Sequence, residues 1–217
     1  MPATVRILIV EDNPQDAALA EREVRRADIF CTFRRVDTRE GMVAALREFA
    51  PDVILTDHSL PHFSAKDALQ VARQLAPGTP VIIVTGRLGD ESAVQYLQAG
   101  AADYIVKDHL NRLGPAVLRA VDVRRSRDAH ARAQQLQAAT YRIAEAAMST
   151  PGLPDLLPAV HRIVDELMPA KNFYIALYDA THDLLTFPYF VDEYDTDFSA
   201  RQPGKGLTAY VLRTGQP

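Results

Sequence analysis

Five short apolar runs alternate with longer amphipathic segments over residues 5–125, and this alternation limits the folds that the chain can adopt. The runs VRILIV, DVILT and PVIIVT are almost continuously apolar, which is typical of strands buried on both faces. The segments between the runs place apolar residues at helical spacing. Alternating strands and helices predict a parallel sheet covered by helices on both faces. The predicted strands are 5–10, 31–36, 53–56, 80–85 and 103–106, and the predicted helices between them are 14–27, 39–49, 65–75 and 90–98.

Local signals mark the ends of several of these helices. Asn13, Thr38 and Ser64 each precede a helical segment, and short polar side chains at that position accept hydrogen bonds from the first free amides of a helix. Gly78 and Gly100 follow helical segments, where glycine commonly allows the backbone to turn out of the helix.

Composition excludes several classes of protein. Of the 217 residues, 47% are hydrophobic and the net charge is only −4. We therefore expect neither wholesale disorder nor nucleic-acid binding driven by bulk charge, although a local basic patch remains open. The single cysteine, Cys31, allows no intrachain disulfide and no cysteine-based zinc site, and it fits a reducing, cytoplasmic setting. The apolar runs fall far short of the roughly 20 residues that cross a bilayer, so no membrane span is predicted.

Residues 112–149 form one long helical pattern without a break. At its start, Val117, Leu118 and Val121 are expected to dock on the sheet as a fifth helix. Further on, the helix is too polar to be stable by propensity alone. We therefore expect a dimerising linker helix that carries a signal between domains, and a solvated arginine-rich linker is the alternative. The loose coiled-coil seam consists of Ala129, Arg132, Leu136, Ala139, Ile143 and Ala146.

A second unit begins near residue 150 with a different order of elements. Its sequence predicts a helix over 156–168, a hairpin with strands 172–178 and 184–191, and a short helix over 207–213. We expect Tyr174, Tyr178 and Phe187 to be core residues of this unit. No further strands follow to complete a sheet around the hairpin, so we expect residues 150–217 to be part of an incomplete domain.

Functional groups stand at several of the predicted strand ends. Glu11 and Asp12 follow the first strand, Asp57 the third, Thr85 ends the fourth and Lys107 follows the fifth. The carboxyl ends of parallel strands meet at one crevice, so these groups are expected to converge. Three close carboxylates repel one another and favour a bound cation, and an all-oxygen set suits Mg²⁺.

The same arrangement suits phosphoryl transfer. A carboxylate can act as a nucleophile and form an aspartyl phosphate, while a metal ion and Lys107 neutralise the phosphoryl oxygens and Thr85 donates a hydrogen bond. Without another anion, Lys107 is expected to pair with Asp57. The nearby histidines His58, His62 and His109 are interpreted as loop residues because no metal-ligand spacing links them, although a histidine beside Asp57 could alter the lifetime of a phosphate there.

These residues, together with Pro61 and Tyr104, resemble the response regulator receiver domain over about residues 4–125. The resemblance implies a flavodoxin-like α/β fold, a doubly wound five-stranded parallel sheet in the order 2-1-3-4-5. It implies phosphorylation of Asp57 by a sensor histidine kinase or a phosphotransfer protein. It also implies that Thr85 and Tyr104 form a coupled switch read out at the fourth helix, fifth strand and fifth helix. The implied Mg²⁺ ligands are Glu11, Asp12, Asp57 and the backbone carbonyl of Ser59.

The sequence also departs from the family pattern. Ala65 stands where glycine is common, Gly86 follows Thr85 where alanine is frequent, and Asp108 and His109 follow Lys107 in place of the frequent proline-aromatic pair. The segments LPHFSAKDAL and YIVKDHLNRLGPAV resemble receivers at the amino end of multidomain (hybrid) sensor kinases. Residues 150–217 resemble the first half of a GAF domain through FYIALYDATHDLLTFPYF and GKGLTAYVLRTGQP.

The sequence thus predicts a receiver domain over 1–125, a linker helix over 112–149 and a partial α+β GAF-like unit over 150–217. The expected role is that of a Mg²⁺-dependent phosphoacceptor in a cytoplasmic homodimer, within a longer protein that could be a histidine kinase, with no nucleic-acid partner. The alternative is a non-phosphorylated dimer scaffold with a vestigial acidic pocket. An aspartate-nucleophile phosphatase would need a second aspartate at Ser59. A flavodoxin-like cofactor binder would not place the acidic segment EDNPQD at its phosphate loop.

Overall fold

The computed structural model describes residues 4–61, 63–86, 90–194 and 198–216. Strands β1 to β5 form a parallel sheet in the order β2-β1-β3-β4-β5, which confirms the predicted flavodoxin-like fold. The strands of this sheet are β1 Val5–Val10, β2 Cys31–Val36, β3 Val53–Asp57, β4 Val81–Thr85 and β5 Asp103–Val106. The helices that connect and follow them are α1 Pro14–Arg25, α2 Arg39–Glu48, α3 Ala65–Leu75, α4 Asp90–Gln98 and α5 Leu113–Ser149, with a 3₁₀ turn over Lys107–Arg112.

The central strands carry the hydrophobic core. Every residue of β3 and β4 is buried, as expected for strands with helices on both faces. One side of the sheet contributes Ile7 and Leu55 to a cluster with α1 and the start of α5, and the other contributes Leu8 and Ile54 to a cluster with α2 and α3. Each such side chain contributes about 1.5–3 kcal/mol when fully buried, so the sheet is a rigid base for groups at its edges.

The helix starts agree with the predicted caps. The side chains of Asn13 and Thr38 accept hydrogen bonds from the amides of Gln15 and Gly41. Ser64 and Asp67 form a reciprocal capping box at the start of α3, which satisfies two otherwise unpaired groups. These caps fix where α1, α2 and α3 begin, immediately after loops at the carboxyl edge of the sheet.

Helix α5 confirms the predicted long helix, but the prediction that Leu118 docks on the sheet is wrong. Val117 and Val121 are buried against the sheet, but Leu118 is 40% exposed. One residue advances about 100° around a helix, so Leu118 lies away from the face that docks. The chain divides into two compact units, Met1–Ala129 and His130–Pro217, and α5 contributes residues to both.

The second unit contains α6 Leu153–Leu167, an antiparallel hairpin of β6 Phe173–Asp179 and β7 Leu184–Val191, and α7 Leu207–Thr214. Helix α6 starts three residues earlier than predicted, because Pro154 occupies its first turn, where proline is tolerated. Among the described residues, no helix combines the length and apolar character needed to cross a bilayer.

Both tyrosines that were expected in the core of the second unit are instead exposed. Tyr174 and Tyr178 are about two-fifths exposed, and their hydroxyls bond to Thr208 and Asp183. The polar hydroxyl of each ring therefore finds a surface partner. Phe187 is half-buried and packs edge-on against Tyr174.

Candidate functional site

The predicted carboxylates meet at the carboxyl edge of the sheet. Glu11, Asp12 and Asp57 each offer an oxygen within 4.8 Å of the others. Glu11 is 5% exposed and Asp57 7% exposed, whereas Asp12 is exposed to solvent. The loop after β1 and the end of β3 are adjacent because these two strands pair in the sheet.

Lys107 reaches this cluster from the turn after β5. Its Nζ lies 2.9 Å from Asp57 Oδ1 and 2.9 Å from Glu11 Oε2, so the expected pairing with Asp57 is present. The same Nζ lies 2.5 Å from Asp16 Oδ2, a contact that the sequence did not predict. Asp16 stands in the first turn of α1, four residues after Asp12, and that spacing places it beside the loop that holds Glu11 and Asp12.

Charge and burial act against each other in this cluster. Burial lowers the pKa of Lys107, but hydrogen bonds to Asp16, Glu11 and Asp57 outweigh it and the net pKa is raised well above the ordinary lysine value. Burial raises the pKa of Glu11 despite its hydrogen bond to Lys107. The ammonium is therefore held charged, while Glu11 is the carboxylate that takes up a proton more readily than usual.

Backbone groups hold the carboxylates in place. The amide of Ser59 donates to Asp57 Oδ2 at 2.7 Å, and the amide of Asn13 donates to Glu11 Oε1 at 3.1 Å. Arg35 on β2 donates to the carbonyls of Glu11 and Asp12 at 2.9 and 3.3 Å, which fixes the loop between β1 and α1. The assignment of the Ser59 carbonyl as a metal ligand stays a prediction.

Thr85 and Tyr104 lie on the same face of the sheet. Thr85 is buried at the end of β4 and is opposite Val106, while Tyr104 is opposite Ile83. Because side chains alternate along a strand, Ile83, Thr85, Tyr104 and Val106 share one face. Tyr104 is half-buried on that face. Its partner on β4, Ile83, is two residues before Thr85. This placement is compatible with the predicted switch, which stays a prediction.

A hydrogen bond joins the neighbour of Asp57 to α4. The Tyr96 hydroxyl and His58 Nδ1 are 2.9 Å apart, and the two rings meet edge-on with centroids 5.5 Å apart. Burial raises the pKa of the Tyr96 phenol. The sequence did not predict this pair, although it placed His58 beside Asp57. His109 lies in the 3₁₀ turn, and His62 lies outside the described residues.

The chemistry of the donor set fits Mg²⁺. Glu11, Asp12 and Asp57 supply oxygen ligands, and a hard divalent ion is bound by a few carboxylates together with water. The exposed carboxylate of Asp12 leaves the cluster open to solvent, so water molecules can complete the coordination of such an ion. Lys107 already bonds to two of the three carboxylates, so part of their charge is neutralised by a resident cation.

Comparison with known proteins agrees with this geometry. The family model for the response regulator receiver domain matches residues 7–117, just over half of the chain. The chain belongs to the response regulator receiver family. Receiver domains bind Mg²⁺ at an acidic pocket and accept phosphate from histidine kinases or phosphotransfer proteins. The matched segment of this receiver family ends within α5, before the second unit.

Curated relatives carry the same kind of receiver segment. The chain is 36% identical over 104 residues to the DNA-binding response regulator MtrA of Mycolicibacterium paratuberculosis, covering 47% of this chain and 44% of the relative. It is 32% identical over 103 residues to a probable transcriptional regulatory protein, TcrX, of Mycobacterium tuberculosis, covering 48% and 43%. The chain therefore spans less than half the length of these relatives. Since one is named as DNA-binding, the expectation of no nucleic-acid partner is unsupported.

Solved receiver domains share the fold. The signal receiver domain of a putative LuxO repressor protein from Vibrio parahaemolyticus is 28% identical, with a TM-score of 0.53 over 58% of this chain and 96% of that one. A CheY-like receiver domain protein from Methanospirillum hungatei is 26% identical, with a TM-score of 0.50 over 58% of this chain and 99% of that one.

Proposed function

We propose that Asp57 is the phosphoacceptor of this receiver and that the site works with Mg²⁺. The observation that carries the proposal is the position of the Asp57 carboxylate. It stands at the end of a fully buried strand, within 2.9 Å of the Lys107 ammonium and within 4.8 Å of carboxylate oxygens of Glu11 and Asp12. A nucleophile, a fixed cation and a set of metal ligands are thus within reach of one phosphoryl group.

The proposed reaction transfers a phosphoryl group from a phosphohistidine. An Asp57 oxygen attacks phosphorus, the P–N bond breaks, and the electron pair and a proton remain with the imidazole of the donor. Lys107 moves from the Asp57 oxygen to a phosphoryl oxygen, and the Thr85 hydroxyl donates to another. Mg²⁺, when held by Glu11, Asp12, Asp57 and the Ser59 carbonyl, would supply electrostatic neutralisation of the phosphoryl oxygens. The amide of Ser59 keeps the remaining carboxylate oxygen oriented.

The proposed output follows from the shared face of Thr85 and Tyr104. When the Thr85 hydroxyl turns toward the phosphoryl group, the Tyr104 ring fills the space that it leaves. This changes the surface of α4, β5 and α5. Helix α5 would carry the change as a dimerising linker over 112–149 to residues 150–217, which we propose to be part of a GAF-like domain.

The proposed whole protein is a longer cytoplasmic signalling protein with this receiver, residues 1–125, as its input. The resemblance to receivers of hybrid kinases supports a histidine kinase output. The relatives that are named as DNA-binding or transcriptional regulators support a DNA-binding output. A sensor histidine kinase or a phosphotransfer protein is the proposed donor in both cases.

Phosphorylation with acetyl phosphate tests the role of Asp57. We expect the chain to gain one phosphoryl group in the presence of Mg²⁺ and none with EDTA, as measured by intact-protein mass spectrometry. Asp57→Asn should abolish the labelling because the amide is a poor nucleophile. Asp108→Asn is the matched control, since Asp108 is an exposed neighbour of Lys107, and it should label like the wild type.

Two outcomes would contradict the assignment. If Asp57→Asn is labelled at the wild-type stoichiometry, the phosphoacceptor is another residue. A wild-type chain that neither labels nor binds beryllofluoride with Mg²⁺ would favour the alternative of a dimer scaffold with a vestigial acidic pocket.

A further inference from the structure

A cavity of about 530 Å³ opens at the edge of the sheet where β4 and β5 begin. Small-molecule sites have volumes of roughly 300–1,000 Å³, so a ligand of that class fits. Helices α3 and α5 and the loops that precede β4 and β5 line the cavity. Asp57 and Lys107 lie at the opposite, carboxyl edge of the sheet, so the cavity is separate from the phosphoacceptor site.

Short apolar side chains form the walls of this cavity. Ala72 and Ala76 contribute from the last turn of α3 and the residue after it, and Ala116, Ala120 and Val123 contribute from α5. Alanines leave space between two helices that longer side chains would fill. The walls therefore suit a flat or apolar ligand body.

Arginines also line the cavity, and they outnumber the carboxylates among the described lining residues. The one lining carboxylate, Asp103, pairs with Arg119 at 2.9 Å. Arg124 lies 3.6 Å from Asp128, which stands on the next turn of α5. The lining arginines are Arg73, Arg119, Arg124 and Arg127.

Two of these arginines have no carboxylate partner in the part of the chain that the structure describes. Arg73 Nη2 donates to the Ala99 carbonyl at 2.6 Å and forms no ion pair. The Arg127 guanidinium forms neither a hydrogen bond nor an ion pair with a described residue. Several N–H donors at the cavity therefore remain available to an anion.

Each of these two guanidinium groups lies against a glycine. Gly78 and Gly100 have φ values of +88° and +95°, which disfavour other residues there. A Cβ on Gly78 would lie 2.8 Å from Arg127 Nη2, and a Cβ on Gly100 would lie 2.9 Å from Arg73 Nη2. The bare backbone of the two loops thus makes room for both cationic groups at the cavity.

We propose that this cavity is a binding site for a small organic phosphate of about nucleotide size. Arg73 and Arg127 bind the phosphate, because the planar fork of a guanidinium matches its oxygens. The body of the ligand lies on the alanine walls. Arg119 and Arg124 form ion pairs with Asp103 and Asp128 and supply further positive charge at the cavity.

Nuclear magnetic resonance on the full chain tests the proposal with adenosine monophosphate as the probe. In EDTA, so that Mg²⁺ does not contribute, we expect saturable shifts of the Gly78 and Gly100 amides. Adenosine, which lacks the phosphate, should bind at least about tenfold more weakly. Asp57→Asn should bind the probe like the wild type, which separates this cavity from the phosphoacceptor site.

Substitution of the two arginines completes the test. Arg73→Gln and Arg127→Gln should each weaken binding at least about tenfold, while acetyl phosphate labelling of Asp57 stays unchanged. Arg125→Gln is the matched control, because Arg125 is exposed on α5 and does not line the cavity. The absence of saturable shifts, or binding unchanged in both variants, would overturn the proposal. Shifts with a short DNA duplex but not with the nucleotide would overturn it in favour of a nucleic-acid contact.

Discussion

Lys107 balances a group of carboxylates that would otherwise repel one another. Its ammonium bonds to Glu11, Asp16 and Asp57, and two of these are buried. The pKa of Lys107 is raised, so its stabilising contribution is fully present below the ordinary lysine pKa of about 10.4 and is lost only as the pH rises through the raised value. The pKa of Glu11 is also raised, so stability falls as the pH rises through the range in which Glu11 ionises.

We expect Lys107→Met to destabilise the chain by about 2 kcal/mol at pH 8, because it leaves buried carboxylates without their cation. The loss should shrink at pH 5, where Glu11 takes up a proton more readily without the lysine. Urea unfolding at both pH values measures this. Lys66→Met, an exposed lysine on α3, should change stability little. An equal loss at both pH values would show that the carboxylates do not carry the effect.

The residues of the site differed in how readily the sequence revealed them. Glu11, Asp57 and Lys107 were predictable because each stands at or just after the end of a strand, and parallel strands end at one edge. Asp16 was missed because an acid in the first turn of a helix has a local explanation in the helix dipole. The pair of His58 and Tyr96 was missed because 38 residues separate a loop from a helix, and no periodicity relates them.

Helix α3 begins directly after the loop that follows Asp57, so its cap also supports that loop. Ser64 Oγ accepts from the amide of Asp67, and the amide of Ser64 donates to Asp67 Oδ2. Hydrogen bonds from Ser64 lower the pKa of Asp67. The cap is therefore complete above the ordinary aspartate pKa and is lost as the pH falls through the lowered value. Ser64 also forms a backbone bridge with Ser59, whose amide bonds to Asp57.

We expect Ser64→Ala to cost about 1 kcal/mol of stability at pH 7, as for other helix caps, as measured by urea unfolding. Ser126→Ala, an exposed serine within α5, should change stability by less than about 0.5 kcal/mol. If both substitutions have the same effect, the loss comes from the serine hydroxyl in general and not from the capping box.

Elements with local signals were predictable, and elements with ambiguous ones were not. Caps and strand runs placed the starts of α1, α2 and α3 because these signals act within a few residues. The start of helix α6 was predicted three residues too late. Pro154 can either break a helix or start one, and the sequence does not distinguish the two. The prediction that Tyr174 and Tyr178 are core residues was wrong, because an amphipathic ring suits a surface as well as a core.

The two units of the chain, Met1–Ala129 and His130–Pro217, differ in what supports their interpretation. The first contains the whole of the matched receiver segment, residues 7–117, together with the acidic cluster. The second is interpreted from resemblance alone. Within it, Leu136 on α5 is 61% exposed, although the predicted seam would bury it against a second helix.

We expect the full chain to sediment as a dimer and Leu136→Glu to raise the dissociation constant at least about tenfold, because a charge replaces a buried apolar side chain at the seam. Gln135→Glu adds the same charge one residue away, off the seam, and should leave the dimer intact. A monomeric wild type, or a dimer that Leu136→Glu does not weaken, would remove α5 as the dimer contact.

The hydrogen bond between His58 and Tyr96 gives the chain a built-in optical reporter. The chain contains eight tyrosines and no tryptophan, so its near-ultraviolet emission comes from phenol rings. Tyr96 is half-buried and bonded to the residue next to Asp57. Any rearrangement of the loop after β3 that stretches this bond changes the surroundings of one phenol, and the fluorescence of the unlabelled protein would report the state of that loop.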